Sequence, residues 1–239
     1  MKLPLNKLLI GYAVGLTTIL AGVTVTQAIG EPKTQVFDTL DVQRINLREK
    51  DGTIRMIISN KGQFPGIIWK GKDYPHPSRG NAAGMIFFND EGTENGGLIF
   101  GGHKGPDGKV QGFGHLSFDQ YENDQVVTLD QSENDGHRSA GLGVMDRPDA
   151  SMNVPELMRV MKLPDGPEKT KAMEGLKSQG FGGASRLFIG KEEGTAALTM
   201  KDANSKTRLR LKVAPGGEAA IEFLDADGKV VRTMTPTAG

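Results

Sequence analysis

The feature that most constrains this chain is a recurring pair, an acid followed by glycine, set between segments that alternate apolar and polar. It stands at Asp51-Gly52, Glu91-Gly92, Asp107-Gly108, Asp135-Gly136, Glu193-Gly194 and Asp227-Gly228. The phrase is nearly repeated whole in "INLREKDGTIRMII" and "IEFLDADGKVVRTM". A tight hairpin needs positive φ at its turn; glycine takes it freely, and Asp or Asn tolerates it better than most residues. The flanking segments have period two, the signature of half-buried strands. Thirteen such segments run from "VQRINLRE" to "KVVRTM". Consecutive hairpins of this kind predict an all-β, antiparallel meander, closed as a barrel or folded as a sandwich. Their irregular spacing argues against a solenoid. Glycine, at 33 of 239 residues, stands at about twice its usual share of ~7 %, which fits many turns and strand irregularities.

One stretch, 153–180, breaks the pattern. Asn153-x-Pro-Glu156 and Asp165-x-Pro-Glu168 both have the form of a capping box. They predict two short helices, about 155–162 and 167–179, stopped by Gly180. Leu157, Val160 and Met161 give the first an apolar stripe, suited to a lid over one end of the sheet or to docking a partner.

The opening residues have a different character. Lys2 and Lys7 precede Leu8–Ile29, which contains no charged residue. Twenty-two residues at 1.5 Å rise cover about 33 Å, enough for a bilayer core of ~30 Å. The expected organisation is a cytoplasmic segment 1–7, a transmembrane helix 8–29, a linker 30–35 and an extracytoplasmic β domain 36–239. A cleaved signal peptide is the alternative, with small residues at Thr26-Gln27-Ala28 and Ala28-Ile29-Gly30. Lys2 and Lys7 before the span, against Lys33 after it, place the N-terminus inside. At 100° per residue Gly11, Gly15, Thr18, Gly22 and Thr26 share one side, and Gly11-x-x-x-Gly15 has the spacing of close helix packing. The same spacing permits self-association.

Chemistry is harder to find. Basic and acidic residues balance at 29 each, which gives no global field for nucleic acid. With no cysteine there are no thiolate nucleophiles, disulfides or Cys-ligated metals. Asp225-x-Asp227-Gly228 lacks the register and terminal Glu of a calcium loop. The histidines, His76, His103, His115 and His137, lack metalloenzyme spacing. If 104–109 is a hairpin turn, His103 faces Val110, His115 lies near Leu98, and both are surface or strand-edge residues. Ser185 has no nucleophile-elbow motif around it, and no glycine-rich stretch leads a strand into a helix as a phosphate loop does. Gly96, Gly97, Gly101 and Gly102 read as bulges or close backbone approaches. No catalytic residue, metal or cofactor is expected.

The segment 60–84 gathers Phe64, Trp69, Tyr74, His76 and Arg79 among three prolines. These residues suit a docking loop for protein or ligand, or a loop packed back on its own sheet with Trp69 in the core.

The stretches "RINLREKDGTIRMIISNKGQFPGII", "GMIFFNDEGTENGGLIFGG" and "HLSFDQYENDQVVTL" resemble a family of uncharacterised bacterial proteins with one N-terminal hydrophobic segment and a β-rich domain. The resemblance covers roughly residues 42–147. It implies a bacterial envelope protein and brings no catalytic residues with it; together with the inside N-terminus, the expected location is the bacterial inner membrane with the main domain periplasmic.

These readings together lead to an expected function: a non-catalytic, single-span accessory subunit that stabilises a larger membrane complex. Its partners would be the bilayer and transmembrane subunits of a respiratory, transport, secretion or photosynthetic assembly. The alternative is a membrane-tethered binding module with a lipocalin-like ligand cavity.

Overall fold

The computed structural model describes residues 9–19, 34–179 and 181–236. The chain divides into two compact units, Met1–Asp41 and Val42–Gly239. In the first, residues 9–19 form a helix (α1) with every residue exposed. The Thr17 and Thr18 hydroxyls donate back to the Ala13 and Val14 carbonyls, at 2.8 Å each, so the helix satisfies its own polar groups. Among the described residues no helix is long and apolar enough to cross a membrane. The expected span 8–29 extends on both sides of α1 into residues outside those described, as do its Gly22 and Thr26.

The second unit is built on one antiparallel sheet of twelve strands. Its strands are β1 (Arg44–Arg48), β2 (Ile54–Ser59), β5 (Ala83–Phe88), β6 (Glu94–Lys104), β7 (Val110–Asp119), β8 (Gln125–Asn134) and β9 (His137–Asp146), followed by β10 (Ala184–Glu192), β11 (Thr195–Lys201), β12 (Thr207–Val213), β13 (Ala219–Leu224) and β14 (Val230–Met234). A separate two-stranded hairpin, β3 (Ile67–Trp69) and β4 (Lys72–Tyr74), interrupts the meander between β2 and β5. Each strand of the large sheet pairs with the one before and the one after, in chain order.

The antiparallel meander is the expected one, and the strand order corrects the expected closed barrel. β1 pairs only with β2 and β14 only with β13, so the hydrogen-bonded order stays open. Asp135 and Gly136 (φ 52° and 91°) and Glu193 and Gly194 (48° and 84°) make two-residue turns with both central residues left-handed. Elsewhere an acid caps the loop from within: Asp107 Oδ1 accepts from Lys109 N, and Asp225 Oδ1, two residues before the Asp227-Gly228 pair, accepts from Asp227 N and Lys229 N. The recurring acids are turn chemistry.

The two helices are α2 (Val154–Met161) and α3 (Pro167–Ser178). Asn153 caps α2 by accepting from Glu156 N at 3.1 Å, as its sequence requires. Asp165 does not cap α3: the cap position falls on Gly166, and Asp165 instead holds Lys169 at 2.8 Å. Gly180 lies outside the described residues.

The core is layered over the first half of the sheet. Ile68 packs against the sheet through Ile57, Ile86 and Phe88. Its neighbour Trp69, on the other face of β3, packs instead into Val154, Leu157, Met158, Val160 and Leu176 of the helices. The period of two along a three-residue strand thus joins sheet, hairpin and helices into one stack.

Candidate functional site

The two faces of the large sheet differ in kind. Directly opposed residues on antiparallel strands share a face, so a row can be followed across all the pairings. One row runs Ile45, Ile58, Met85, Leu98, Leu116, Leu129, Leu142, Ile189, Leu198, Leu211, Ile221, Met234. Every strand supplies one aliphatic residue or methionine, with no polar member. A second row beside it runs from Leu47 through Met56, Phe87, Gly96, Phe118, Val127, Val144, Leu187, Met200, Leu209 and Phe223 to Arg232. This face is bare: Leu129 is 54 % exposed, Phe118 52 %, Met200 47 % and Ile189 46 %. Near the β14 edge it hollows into an apolar groove of about 690 Å³ with Leu198, Leu211, Ile221 and Met234 in its lining.

The opposite face carries the hairpin and helices, and beneath them lies a polar cavity of about 110 Å³. Gly97 leaves room for it. A Cβ at Gly97 would come within 2.6 Å of the Met85 carbonyl and 3.0 Å of Ile86 Cδ1, so a side chain there is excluded. Two ion pairs and one histidine–carboxylate hydrogen bond border the space. Arg79 Nη2 meets Glu94 Oε2 at 2.8 Å, Arg147 Nη2 meets Asp124 Oδ2 at 3.1 Å, and His115 Nδ1 meets Asp130 Oδ1 at 2.5 Å. Glu94 also accepts from Ile68 N at 2.9 Å, tying the pair to β3. Burial raises the Glu94 carboxyl, opposed chiefly by Arg79.

Asp119, at the end of β7, is the carboxylate left over. Burial, helped by repulsion from Asp124 and Glu94, raises it from 3.8 to about 7. Its Oδ1, together with Arg79 Nη1 and His115 Nε2, is buried without a hydrogen-bond partner. All three residues line the same cavity.

Arg147 also locks the site's rim. It donates to the carbonyls of Gln125 (2.7 Å) and Gly182 (3.1 Å), joining the β7–β8 turn to the chain leaving α3. Asn123 Nδ2 donates to Pro148 and Ala150 carbonyls, and Ser151 Oγ to Glu122 Oε2 at 2.7 Å. The helical insertion is therefore anchored on residues 120–125.

Trp69 is 8 % exposed; Phe64 packs on the Ile57–Phe88 cluster and Tyr74 on the helices. The 60–84 loop is packed on its own sheet, and its Ile67, Trp69 and Arg79 line the cavity. His76 is half-buried in the same loop. His103 opposes Gln111, one residue from the expected Val110, because Lys104 is still in β6 and pairs with Val110. His115 opposes Ile99 and its side chain is 18 % exposed, so it is not a surface histidine. Ser117 lies two residues along the same strand and Asp130 orients His115, yet His115 Nε2 bonds to nothing, so no serine–histidine–aspartate relay is assembled. Among the described residues no group of His, Asp or Glu could hold a metal. In α1, a Cβ at Gly11 or Gly15 meets nothing within 4 Å.

The sequence reading missed both the cavity and the unbroken rows. Each depends on register, and neither leaves a local motif; only the isolated polar positions of "HLSFD" within a strand hinted at the first.

The fold and these two surfaces define a class: an open antiparallel meander with a helical lid on one face and an uncovered apolar face on the other. No protein-family model matches the chain, and no curated protein matches it.

Proposed function

We propose that this chain is a non-catalytic, self-associating structural subunit whose bare apolar sheet face packs against a second copy. The observation that carries this reading is the row from Ile45 to Met234, apolar on every one of the twelve strands. Monomers rarely leave so large an apolar patch in water. Eleven strand spacings of ~4.8 Å make the rows about 53 Å long, and two rows side by side cover about 700 Å². A stable interface takes ~800 Å² per partner, so the face is of the size a dimer needs. A chargeless row offers a copy of itself no repulsion, and a two-fold axis between β8 and β9 would lay the rows on one another at the ~10 Å spacing of stacked sheets.

The uncharged stretch Leu8–Ile29 adds a membrane tether, with α1 as its described part and Gly11, Gly15 and Thr18 as a packing side. On this reading the β unit lies at the periplasmic face of a bacterial inner membrane, where the pairs brace a larger membrane complex. In isolated membranes the chain should resist extraction at alkaline pH; release into the supernatant would remove the tether.

Because the chain has no cysteine, Leu129→Cys is a clean reporter. In intact membranes it should form a chain-to-chain disulfide, and Leu129→Glu with Ile189→Glu should convert a dimeric mass to a monomeric one in mild detergent. A wild-type chain that is monomeric at low detergent, together with a Leu129→Cys chain that forms no disulfide, overturns the proposal.

A further inference from the structure

We infer that the cavity beneath the helical lid binds a small zwitterion, a molecule with an ammonium group beside a carboxylate, of the size of glycine or alanine. The inference rests on the hydrogen-bonding capacity left unused there. Arg79 Nη1 can only donate. In the tautomer that donates from Nδ1 to Asp130, His115 offers Nε2 as an acceptor. Asp119 Oδ1, when ionised, accepts. All three atoms are buried and unpartnered, and they line one space. Buried polar groups left this way are costly and call for a partner.

The chemistry of the partner follows from the set. One donor on a guanidinium asks for a carboxylate oxygen, while two acceptors ask for an ammonium with N–H bonds to give. A bare anion would satisfy Arg79 and face Asp119; a bare amine would satisfy Asp119 and leave Arg79 idle. A zwitterion serves both ends. The pairing agrees, since Arg79 with Glu94 and Arg147 with Asp124 are ion pairs and Asp130 takes the His115 Nδ1 proton, whereas Asp119 Oδ1 has no partner. The volume of about 110 Å³ equals that of ~4 waters, which limits the ligand to the smallest amino acids. Trp69, Ile67 and Met152 supply the apolar wall against its carbon.

Binding the ammonium requires Asp119 ionised, so bound ligand and bound proton exclude each other. The groups facing Asp119 are Arg79 from the 77–81 turn, Glu94 from β6, His115 from its own strand, Asp124 from the β7–β8 turn and Arg147 beyond β9. Calorimetry of the full chain in mild detergent with glycine, D-alanine and L-alanine, against acetate and methylamine as single-charge controls, tests this. Glycine should bind at pH 8 and lose about tenfold in affinity per pH unit below 7. Asp119→Asn should weaken it at least tenfold while melting no earlier than wild type at pH 8, which separates lost recognition from lost folding. Arg79→Lys, which keeps the charge, should weaken glycine and leave methylamine unchanged. No heat with any amino acid, acetate bound as well as glycine, or glycine affinity unchanged in Asp119→Asn would each overturn the inference and leave the cavity to water.

Discussion

At the scale of single residues, Asp119 sets the chain's response to pH. Its folded pKa of about 7 lies above the ordinary 3.8, so the stability it contributes is present in full below pH ~4. That contribution is lost as pH rises through 7, because folding then confines a charge in a poorly solvated site. Denaturant titrations should therefore show wild type losing about 2–4 kcal/mol between pH 4 and pH 8 through this group. Asp119→Asn should flatten that slope; an unchanged slope would mean Asp119 is solvated. Glu94 is raised by the same cause and adds in the same direction. Glu122 is shifted the other way, held down by the Ser151 hydroxyl and then by Lys70, so its share is lost only as pH falls. The turn acids were legible from sequence because their work is local: Asp51 accepts from Thr53 N two residues on. Asp119 was not, because Glu94 and Arg147 reach it from 25 residues before and 28 after.

At the scale of elements, β3 matters beyond its three residues. Ile68 faces the sheet and Trp69 the helices, so one short strand couples two hydrophobic clusters. Trp69→Ala should cost about 3–5 kcal/mol, as large core truncations do. It should also raise hydrogen exchange throughout 154–178, while β7–β9 stay protected. Uniform loss across sheet and helices would show the lid to be no separate layer. The helices themselves were readable, since Asn153, Pro155 and Glu156 carry a start signal on the sequence. α3 was placed correctly for a partly wrong reason: Asp165 pairs with Lys169, and proline at the first turn suffices to begin the helix.

At the scale of the whole molecule, the sheet's two faces divide the labour. The covered face holds polar atoms in a cavity; the bare face holds the longest unbroken apolar row. If the rows stack across a dimer, substitutions along them should act in proportion to distance from the β8–β9 axis. Leu129→Glu should break the dimer, and Ile45→Glu at the β1 edge should loosen it by less, as sedimentation would report. The expected barrel would have hidden these residues inside. An open meander leaves them outside, which shifts the question from what the barrel contains to what the sheet meets.

The sequence by itself determined the strands, the hairpins between them and the two helices, because turn glycines, alternation and capping act within a few residues of one another. It also determined that residues 8–29 carry no charge. Only the tertiary structure decided that the meander stays open, that twelve apolar residues align into one row, and that Arg79, His115 and Asp119 converge on one cavity. The physical reason is register. A slip of one residue between strands moves every side chain to the other face, and nothing local in the sequence sums eleven such registers.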